Sequence, residues 1–232
     1  YGSDGTIYIG RGDGRLYAID TNCTQKWMYT APTLSGNSAD IFGMALINNE
    51  LYVTYAHGYI RKHSLSNGNV TGEKQFNGYP NDVYISDHLI YDGSSSLYVP
   101  VRIALGPGKL YKLNLNLNEI WEYAFPFSSG NQLPVRIALG LDGTIIAGVG
   151  SNHLYSIKPD GTQYWMKSIY LDSAYTPVIG GDGTIYLSSG VFVKALNPDK
   201  TEKWSLNTGG GVRQIALVPD NISGGGIAVS SQ

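Results

Sequence analysis

The sequence predicts an all-β fold built from repeated four-stranded antiparallel sheets, and three observations support this prediction. First, Asp-Gly-Thr-Ile occurs three times, and a tryptophan follows each copy. The copies begin at Asp4, Asp142 and Asp182, and the tryptophans are Trp27, Trp165 and Trp204. Second, the 232 residues include 30 glycines and 18 tyrosines, which is typical of short strands joined by tight turns. Third, a period of about forty residues indicates a repeat architecture.

The first unit shows how each repeat is expected to fold. Residues 6–10 and 16–20 are β-rich runs, and glycines in segment 11–15 supply the positive φ of a hairpin turn. A third run ends at residues 25–29, after a polar turn. An apolar run precedes the later Asp-Gly pairs, as at residues 134–139. Each unit is therefore predicted to be a four-stranded meander.

The strands are apolar on both faces, which predicts how the sheets pack. Ile7, Tyr8 and Ile9 are consecutive apolar residues, and so are residues 16–19, whereas a sheet with one wet face would alternate. Both faces must then be covered. A ring of small sheets packed face to face covers both, and this arrangement is a β-propeller.

A constant spacing supports the register of the last two strands. The residue nine positions before each tryptophan falls in the preceding strand in four units, at Ala18, Lys112, Ser156 and Ala195. The second unit is degenerate, and we expect Phe76 to replace its tryptophan. The third unit carries about six extra residues near positions 99–108, which predicts a lengthened hairpin.

We predict a single propeller domain over residues 1–232. Five to six repeats are present, at about residues 1–31, 32–79, 80–127, 128–169 and 170–208, with a partial repeat at 209–232.

The units resemble the PQQ-like, or quinoprotein-type, propeller repeat. Its consensus is Asp-Gly-x-Val-Tyr-x-Gly, then Leu-Tyr-Ala-Leu-Asp, then Gly-x-x-x-Trp. This pattern appears at residues 4–10, 16–20 and Trp27, and again at residues 154–157 with Gly161 and Trp165. The likeness covers about residues 1–209 and is specific for fold. It is unspecific for function, because the family holds alcohol and sugar dehydrogenases as well as non-catalytic scaffolds such as the outer-membrane assembly lipoprotein. In character the chain resembles these scaffolds.

The resemblance implies a structural role for four tryptophans and leaves the size of the ring open. In the family this residue docks against the neighbouring blade, so the expected blade-docking residues are Trp27, Trp121, Trp165 and Trp204. Rings of the family commonly have seven or eight blades, and the repeats of this chain would then form part of such a ring. The alternative is a five-bladed ring in which residues 212–218 supply the strand missing from the first unit.

The sequence predicts no enzyme, no cofactor, no catalytic residues and no metal site. A quinone-dependent dehydrogenase of this family is expected to show adjacent cysteines under the cofactor, and this chain has one cysteine, Cys23. The four histidines have no zinc-type spacing, and the Asp-Gly pairs lack the ligand pattern of calcium loops. A dehydrogenase-like enzyme remains the alternative.

Two further sets of residues are candidates for a role at the surface. Asn22, Asn69 and Asn221 each begin an Asn-x-Ser/Thr triplet and are possible glycosylation sites. Leading strands line the central channel of a propeller, so Arg136 and Arg213 are candidate channel-lining residues.

These observations predict a non-catalytic propeller scaffold or binding module that contacts another protein or a surface glycan. A structural module within a larger surface protein is a further alternative. The net charge of −2 and the scattered Lys and Arg exclude a nucleic-acid partner. The sequence contains no apolar run of 18 residues, so we expect no membrane span. The expected location is extracytoplasmic, meaning periplasmic, on the cell surface or secreted.

Overall fold

The computed structural model describes residues 1–32, 39–76, 83–85, 88–103, 106–126, 135–150, 152–170, 176–218 and 226–231. These residues form 22 β-strands. The predicted all-β class is therefore confirmed. No helix that could cross a membrane occurs in the described part of the chain.

The chain divides into two compact units, residues 1–132 and 133–232. Unit 1 holds three antiparallel sheets. Sheet 1 has the order β1-β2-β3, with strands Ile7–Gly10, Arg15–Ile19 and Gln25–Thr30. Sheet 2 has the order β4-β5-β6-β7, with strands Ile41–Ile47, Glu50–Tyr55, Tyr59–Ser64 and Val70–Gln75. Sheet 3 has the order β12-β11-β10-β8, with β9 also pairing with β10, and its strands in chain order are Val83–Ile85, Ile90–Tyr91, Ser96–Ile103, Lys109–Asn114 and Glu119–Ala124.

Unit 2 holds two complete sheets and a two-stranded one. Sheet 4 has the order β13-β14-β15-β16, with strands Val135–Leu139, Ile145–Val149, His153–Ile157 and Gln163–Ser168. Sheet 5 has the order β17-β18-β19-β20, with strands Val178–Ile179, Ile185–Ser189, Phe192–Leu196 and Glu202–Asn207. Sheet 6 consists of β21 (Val212–Val218) and β22 (Gly226–Ser231). Sheets 2, 4 and 5 are the four-stranded meanders that the repeats predict, while the single domain and the number of blades stay predictions.

The nine-residue spacing has a direct structural cause. In sheets 1, 3, 4 and 5 the tryptophan of the last strand pairs with the residue nine positions earlier in the preceding strand. A β-bulge lies next to each pair. The pairs are Ala18 with Trp27, Lys112 with Trp121, Ser156 with Trp165, and Ala195 with Trp204. In sheet 2 the corresponding partner of Lys62 is Gly72. The prediction that Phe76 replaces the tryptophan is therefore wrong, because Phe76 lies after the end of β7. Its backbone N–H donates to the Gly58 carbonyl, just as the N–H of Ala31, after β3, donates to the Gly14 carbonyl.

The lengthened hairpin of the third unit is a long β10 strand with a divided partner. Leu97 and Tyr98 pair with β9, whereas residues 101–103 pair with β8. Two short strands thus take the place of one leading strand.

Strand β5 of sheet 2 is buried on both faces because sheet 2 packs against a sheet on each side. Leu51, Val53 and Tyr55 of β5 lie in one core with Leu16 and other residues of sheet 1. The alternate residue, Tyr52, lies in a second core with residues of sheet 3. A third core joins sheets 4 and 5, and a fourth joins sheets 5 and 6. Face-to-face packing is thus the source of the core within each unit.

A buried histidine joins three elements at the boundary between sheets 1 and 2. The ring of His63 is fully buried, its Nε2 lies 2.9 Å from the Tyr55 hydroxyl, and its Nδ1 lies 2.8 Å from the Gly68 carbonyl oxygen. The ring also meets Tyr29 of sheet 1 edge-on, at 4.7 Å between centroids. A neutral ring with its proton on Nδ1 satisfies both bonds, since Nδ1 then donates to Gly68 and Nε2 accepts from Tyr55. Burial lowers the pKa of His63, and the nearby Arg61 adds to this.

The depressed pKa of His63 predicts a loss of stability in mild acid. The folded protein binds fewer protons at this ring than the unfolded chain, whose histidine has a pKa of about 6.5, so stability falls as the pH drops below about 6.5. The slope contributed by one such group is at most about 1.4 kcal/mol per pH unit. Urea unfolding of the wild type and of His63→Gln between pH 5 and 8 measures it. The variant is expected to lack this slope, and equal slopes in both proteins would refute the assignment.

Candidate functional site

The repeated Asp-Gly-Thr segment builds the same turn in sheets 1, 4 and 5. One carboxylate oxygen of the aspartate accepts from the threonine amide at 2.9–3.0 Å, and the other accepts from the threonine hydroxyl at 2.7–2.9 Å; the pairs are Asp4 with Thr6, Asp142 with Thr144, and Asp182 with Thr184. The glycine between them has a positive φ of 78–79° in all three turns. The turn chemistry thus explains the recurring sequence.

A lysine completes this turn in two of the three sheets. Lys26 Nζ lies 2.9 Å from Asp4 Oδ2 and 2.8 Å from Thr6 Oγ1. Lys203 Nζ lies 3.0 Å from Asp182 Oδ2 and 2.9 Å from the Thr184 hydroxyl. The hydrogen bond from Lys26 holds the pKa of Asp4 well below its usual range, and bonds from Thr184 and then Lys203 do the same for Asp182. An aspartate and a threonine hydroxyl together therefore form a seat for an ammonium group.

Sheet 4 lacks the lysine. Tyr164 immediately precedes Trp165, as Lys26 precedes Trp27, and its side chain is 61% exposed. Within the described residues, Asp142 forms hydrogen bonds with Thr144 and no ion pair. The ammonium of Lys158 lies 5.6 Å from the centroid of the Tyr164 ring.

A cleft of about 290 Å³ opens at this turn, between sheets 4 and 5 of unit 2. Its polar side chains include Asp142, Thr144 and Ser156, and its apolar walls include Ile146 and Ile185. Tyr164 also lines the cleft. Ser156 is 1% exposed, and its Oγ is buried without a hydrogen-bond partner among the described residues. The sequence did not predict this cleft, although the exchange of Lys for Tyr before Trp165 is visible in it.

The tryptophans differ in how they meet the next sheet. The Nε1 of Trp27 donates to the Leu65 carbonyl at 2.7 Å, and the Nε1 of Trp165 donates to the Pro198 carbonyl at 3.0 Å. Both indoles are 7% exposed. Each acceptor lies in the turn between the third and fourth strands of the following sheet.

Sheet 2 makes the same contact with a different residue. The Tyr52 hydroxyl donates to the Leu115 carbonyl at 2.8 Å, in the corresponding turn of sheet 3, and burial raises the pKa of Tyr52 to about 12. A tyrosine hydroxyl thus replaces the indole where Gly72 holds the tryptophan position.

The two remaining tryptophans are less buried. Trp121 is half-buried, and Trp204 is 36% exposed. Their rings lie 6.0 Å and 5.9 Å from those of Tyr98 and Tyr186 in their own sheets. A blade-docking role for all four tryptophans stays a prediction.

Among the described residues, the predicted site residues Arg136, Asn22 and Asn69 do not line the cleft. Arg136 is a half-buried residue of the leading strand β13, and Arg213 belongs to β21. Asn22 and Asn69 are exposed at turns, which leaves both accessible for modification, whereas Asn221 lies outside the described residues. Cys23 is exposed and free. No group of three His, Cys, Asp or Glu side chains that could hold a metal occurs in the part of the chain that the structure describes.

The fold is that of known quinoprotein-type propellers. A protein of unknown function from Bacteroides caccae has a TM-score of 0.62 and 13% identity over 93% of this chain and 79% of its own. BamB from Moraxella catarrhalis has a TM-score of 0.60 and 13% identity over 93% of this chain and 77% of its own. A europium-containing methanol dehydrogenase has a TM-score of 0.67 and 14% identity over 88% of this chain. The chain spans about half the length of that dehydrogenase, 49%.

These comparisons confirm the predicted β-propeller fold. No protein-family model matches the sequence, and no curated protein does. At 13–14% identity the likeness concerns the fold alone.

Proposed function

We propose that this chain is a non-catalytic propeller scaffold or binding module whose loops or rim contact another protein. One observation carries the proposal: the residues that recur in the repeats are engaged in building the sheets. The aspartates close turns, and Trp27 and Trp165 bond to the following sheet. The motif therefore serves structure, which leaves loops and edges for binding.

The comparison with BamB supports this proposal. The chain spans 77% of BamB, so the likeness extends over most of a protein of similar size, whereas it spans 49% of the methanol dehydrogenase. A protein partner is the form of the proposal that we favour. A surface glycan, the other partner predicted from the sequence, remains the alternative.

A quinone-dependent dehydrogenase is the second candidate, favoured by the TM-score of 0.67 with the methanol dehydrogenase. Against it stands the single cysteine of the sequence, Cys23, which cannot supply the adjacent pair that the resemblance implies for such enzymes. Cys23 lies in the exposed turn between β2 and β3.

An activity assay separates the two candidates. The purified protein is incubated with pyrroloquinoline quinone and Ca²⁺, then supplied with alcohols or sugars and an artificial electron acceptor. We expect acceptor reduction at the rate of a protein-free control, with a loaded methanol dehydrogenase as positive control. Saturable, quinone-dependent turnover that is lost on heat denaturation would overturn the proposal.

We further propose an extracytoplasmic location, either as an independent scaffold or as a structural module within a larger surface protein. The exposed positions of Asn22 and Asn69 are compatible with modification in such a compartment. Cell fractionation followed by immunoblotting tests the location, and recovery of the protein in the cytosolic fraction alone would refute it.

A further inference from the structure

The turns of sheets 1 and 5 demonstrate what the Asp-Gly-Thr turn binds when a cation is within reach. In both sheets a primary ammonium lies 2.8–3.0 Å from an aspartate oxygen and from a threonine hydroxyl. Such charge-assisted hydrogen bonds are short and stronger than neutral ones. The same two side chains, Asp142 and Thr144, form the same turn in sheet 4.

At sheet 4 this seat adjoins a cleft. Tyr164 stands at the position of the lysine, and both Asp142 and Thr144 line the cleft of about 290 Å³. The ammonium of Lys158 lies over the Tyr164 ring, 5.6 Å from its centroid, and makes no ion pair with Asp142 among the described residues. Among the described residues, this turn therefore has no ammonium group of the chain bonded to Asp142.

The interior of the cleft offers a second polar contact. Ser156 Oγ is buried without a hydrogen-bond partner among the described residues, and such a hydroxyl gains when a ligand atom bonds to it. The side chains of Ile146, Ile179 and Ile185 supply apolar walls. An apolar cleft with a few convergent polar groups is typical of a small-molecule site, and this volume lies near the lower end of their range.

We propose that this cleft binds a small primary amine with an apolar body. Its ammonium occupies the seat formed by Asp142 and Thr144, where the Tyr164 ring adds a cation–π contact. The body packs against Ile146 and Ile185, and a hydroxyl or similar polar group bonds to Ser156 Oγ. The site is independent of the protein-binding function proposed above.

Tyramine is a suitable probe, because it combines an ammonium, an aromatic ring and a hydroxyl. Titration of the purified chain by calorimetry is expected to show saturable 1:1 binding. Tyrosol, in which a hydroxyl replaces the amine, is expected to bind at least tenfold more weakly. Equal binding of the two compounds, or no binding of tyramine at millimolar concentration, would overturn the proposal.

Three variants test the assigned contacts. Tyr164→Lys restores the lysine of sheets 1 and 5 at an exposed position and is expected to abolish tyramine binding while the protein stays folded. Asp142→Asn is expected to weaken binding at least tenfold. Ser156→Ala is expected to weaken tyramine more than phenethylamine, which lacks the hydroxyl. Tyramine binding that is unchanged in the folded Tyr164→Lys protein would contradict the proposed seat.

A matched control comes from sheet 1, where Asp4→Asn alters the same turn with its seat already filled by Lys26. This variant is expected to bind tyramine as the wild type does, and a loss equal to that of Asp142→Asn would count against a specific site. Titration with Nα-acetyl-lysine methylamide distinguishes the source of the ammonium. If it binds at least as tightly as tyramine, and Tyr164→Lys abolishes both, the seat accepts a lysine side chain; if tyramine alone binds, the seat accepts a free amine.

Discussion

Replacing Trp27 by alanine is expected to lower the free energy of unfolding by about 3–5 kcal/mol. The indole is 7% exposed, packs in the core shared by sheets 1 and 2, and donates to the Leu65 carbonyl at 2.7 Å. The substitution leaves a cavity and removes the donor of a partly buried carbonyl, and both effects destabilise the folded state. Urea unfolding followed by far-UV circular dichroism measures the loss, since this signal comes mainly from the backbone.

Trp204→Ala is the matched control for this experiment. Trp204 occupies the same ladder position in sheet 5 but is 36% exposed, so its removal is expected to cost about 1–2 kcal/mol. The larger loss of unfolding free energy expected for Trp27→Ala follows from the burial of its indole between sheets 1 and 2. Equal losses in both would contradict the special position of Trp27.

Gly68→Ala is expected to destabilise the protein by about 2–4 kcal/mol. A Cβ at this position would lie 2.5 Å from Cε3 of Trp27 and 2.9 Å from Cδ2, and the backbone has a φ of +75°. The left-handed conformation costs about 1 kcal/mol for a residue other than glycine, and overpacking typically adds about 1–3 kcal/mol. Thermal and urea unfolding measure the combined cost.

Gly93→Ala separates the two contributions. Gly93 has a φ of +81°, and no atom lies within 4 Å of the position of an added Cβ, so the expected cost is that of the backbone alone, about 1 kcal/mol. The double variant Trp27→Ala/Gly68→Ala gives a further check, because without the indole the steric part of the Gly68 effect should disappear. If Gly68→Ala costs no more than Gly93→Ala, the close packing of Gly68 against Trp27 is refuted.

The turn chemistry explains why so much of the fold could be predicted from the sequence. Asp4 and its equivalents close their turns with a threonine two residues later, so the signal is local and survives in every copy that keeps both residues. The distance from each tryptophan to its ladder partner is fixed by a hairpin of constant length with a bulge. Local geometry of this kind is visible in one sequence.

Contacts between sheets could not be read in the same way. The edge-on contact of His63 with Tyr29 of sheet 1 brings together side chains that no periodic pattern marks. Tyr52 replaces the missing indole of sheet 2 from a different strand, whereas the sequence pattern indicated Phe76. Such substitutions conserve a contact in space rather than a position in the repeat.

The candidate cleft could be predicted from the sequence only in part. The exchange of lysine for Tyr164 can be seen by aligning the repeats, but its meaning depends on the distances that Lys26 and Lys203 make in the other sheets. The unpartnered hydroxyl of Ser156 can be recognised only from burial. The sequence therefore indicates that sheet 4 differs, and the structure indicates the chemistry of the difference.

Hydrogen exchange of the four indole Nε1–H groups, followed by ¹H–¹⁵N NMR, tests most directly whether successive sheets pack face to face with indoles bonded across the joint. The indole N–H groups of Trp27 and Trp165 are expected to exchange slowly, because each donates to a carbonyl of the following sheet and both rings are buried. The more exposed Trp204 is expected to exchange at a faster rate. If Trp27 and Trp165 exchange as rapidly as Trp204, the packing of sheet against sheet described above is wrong.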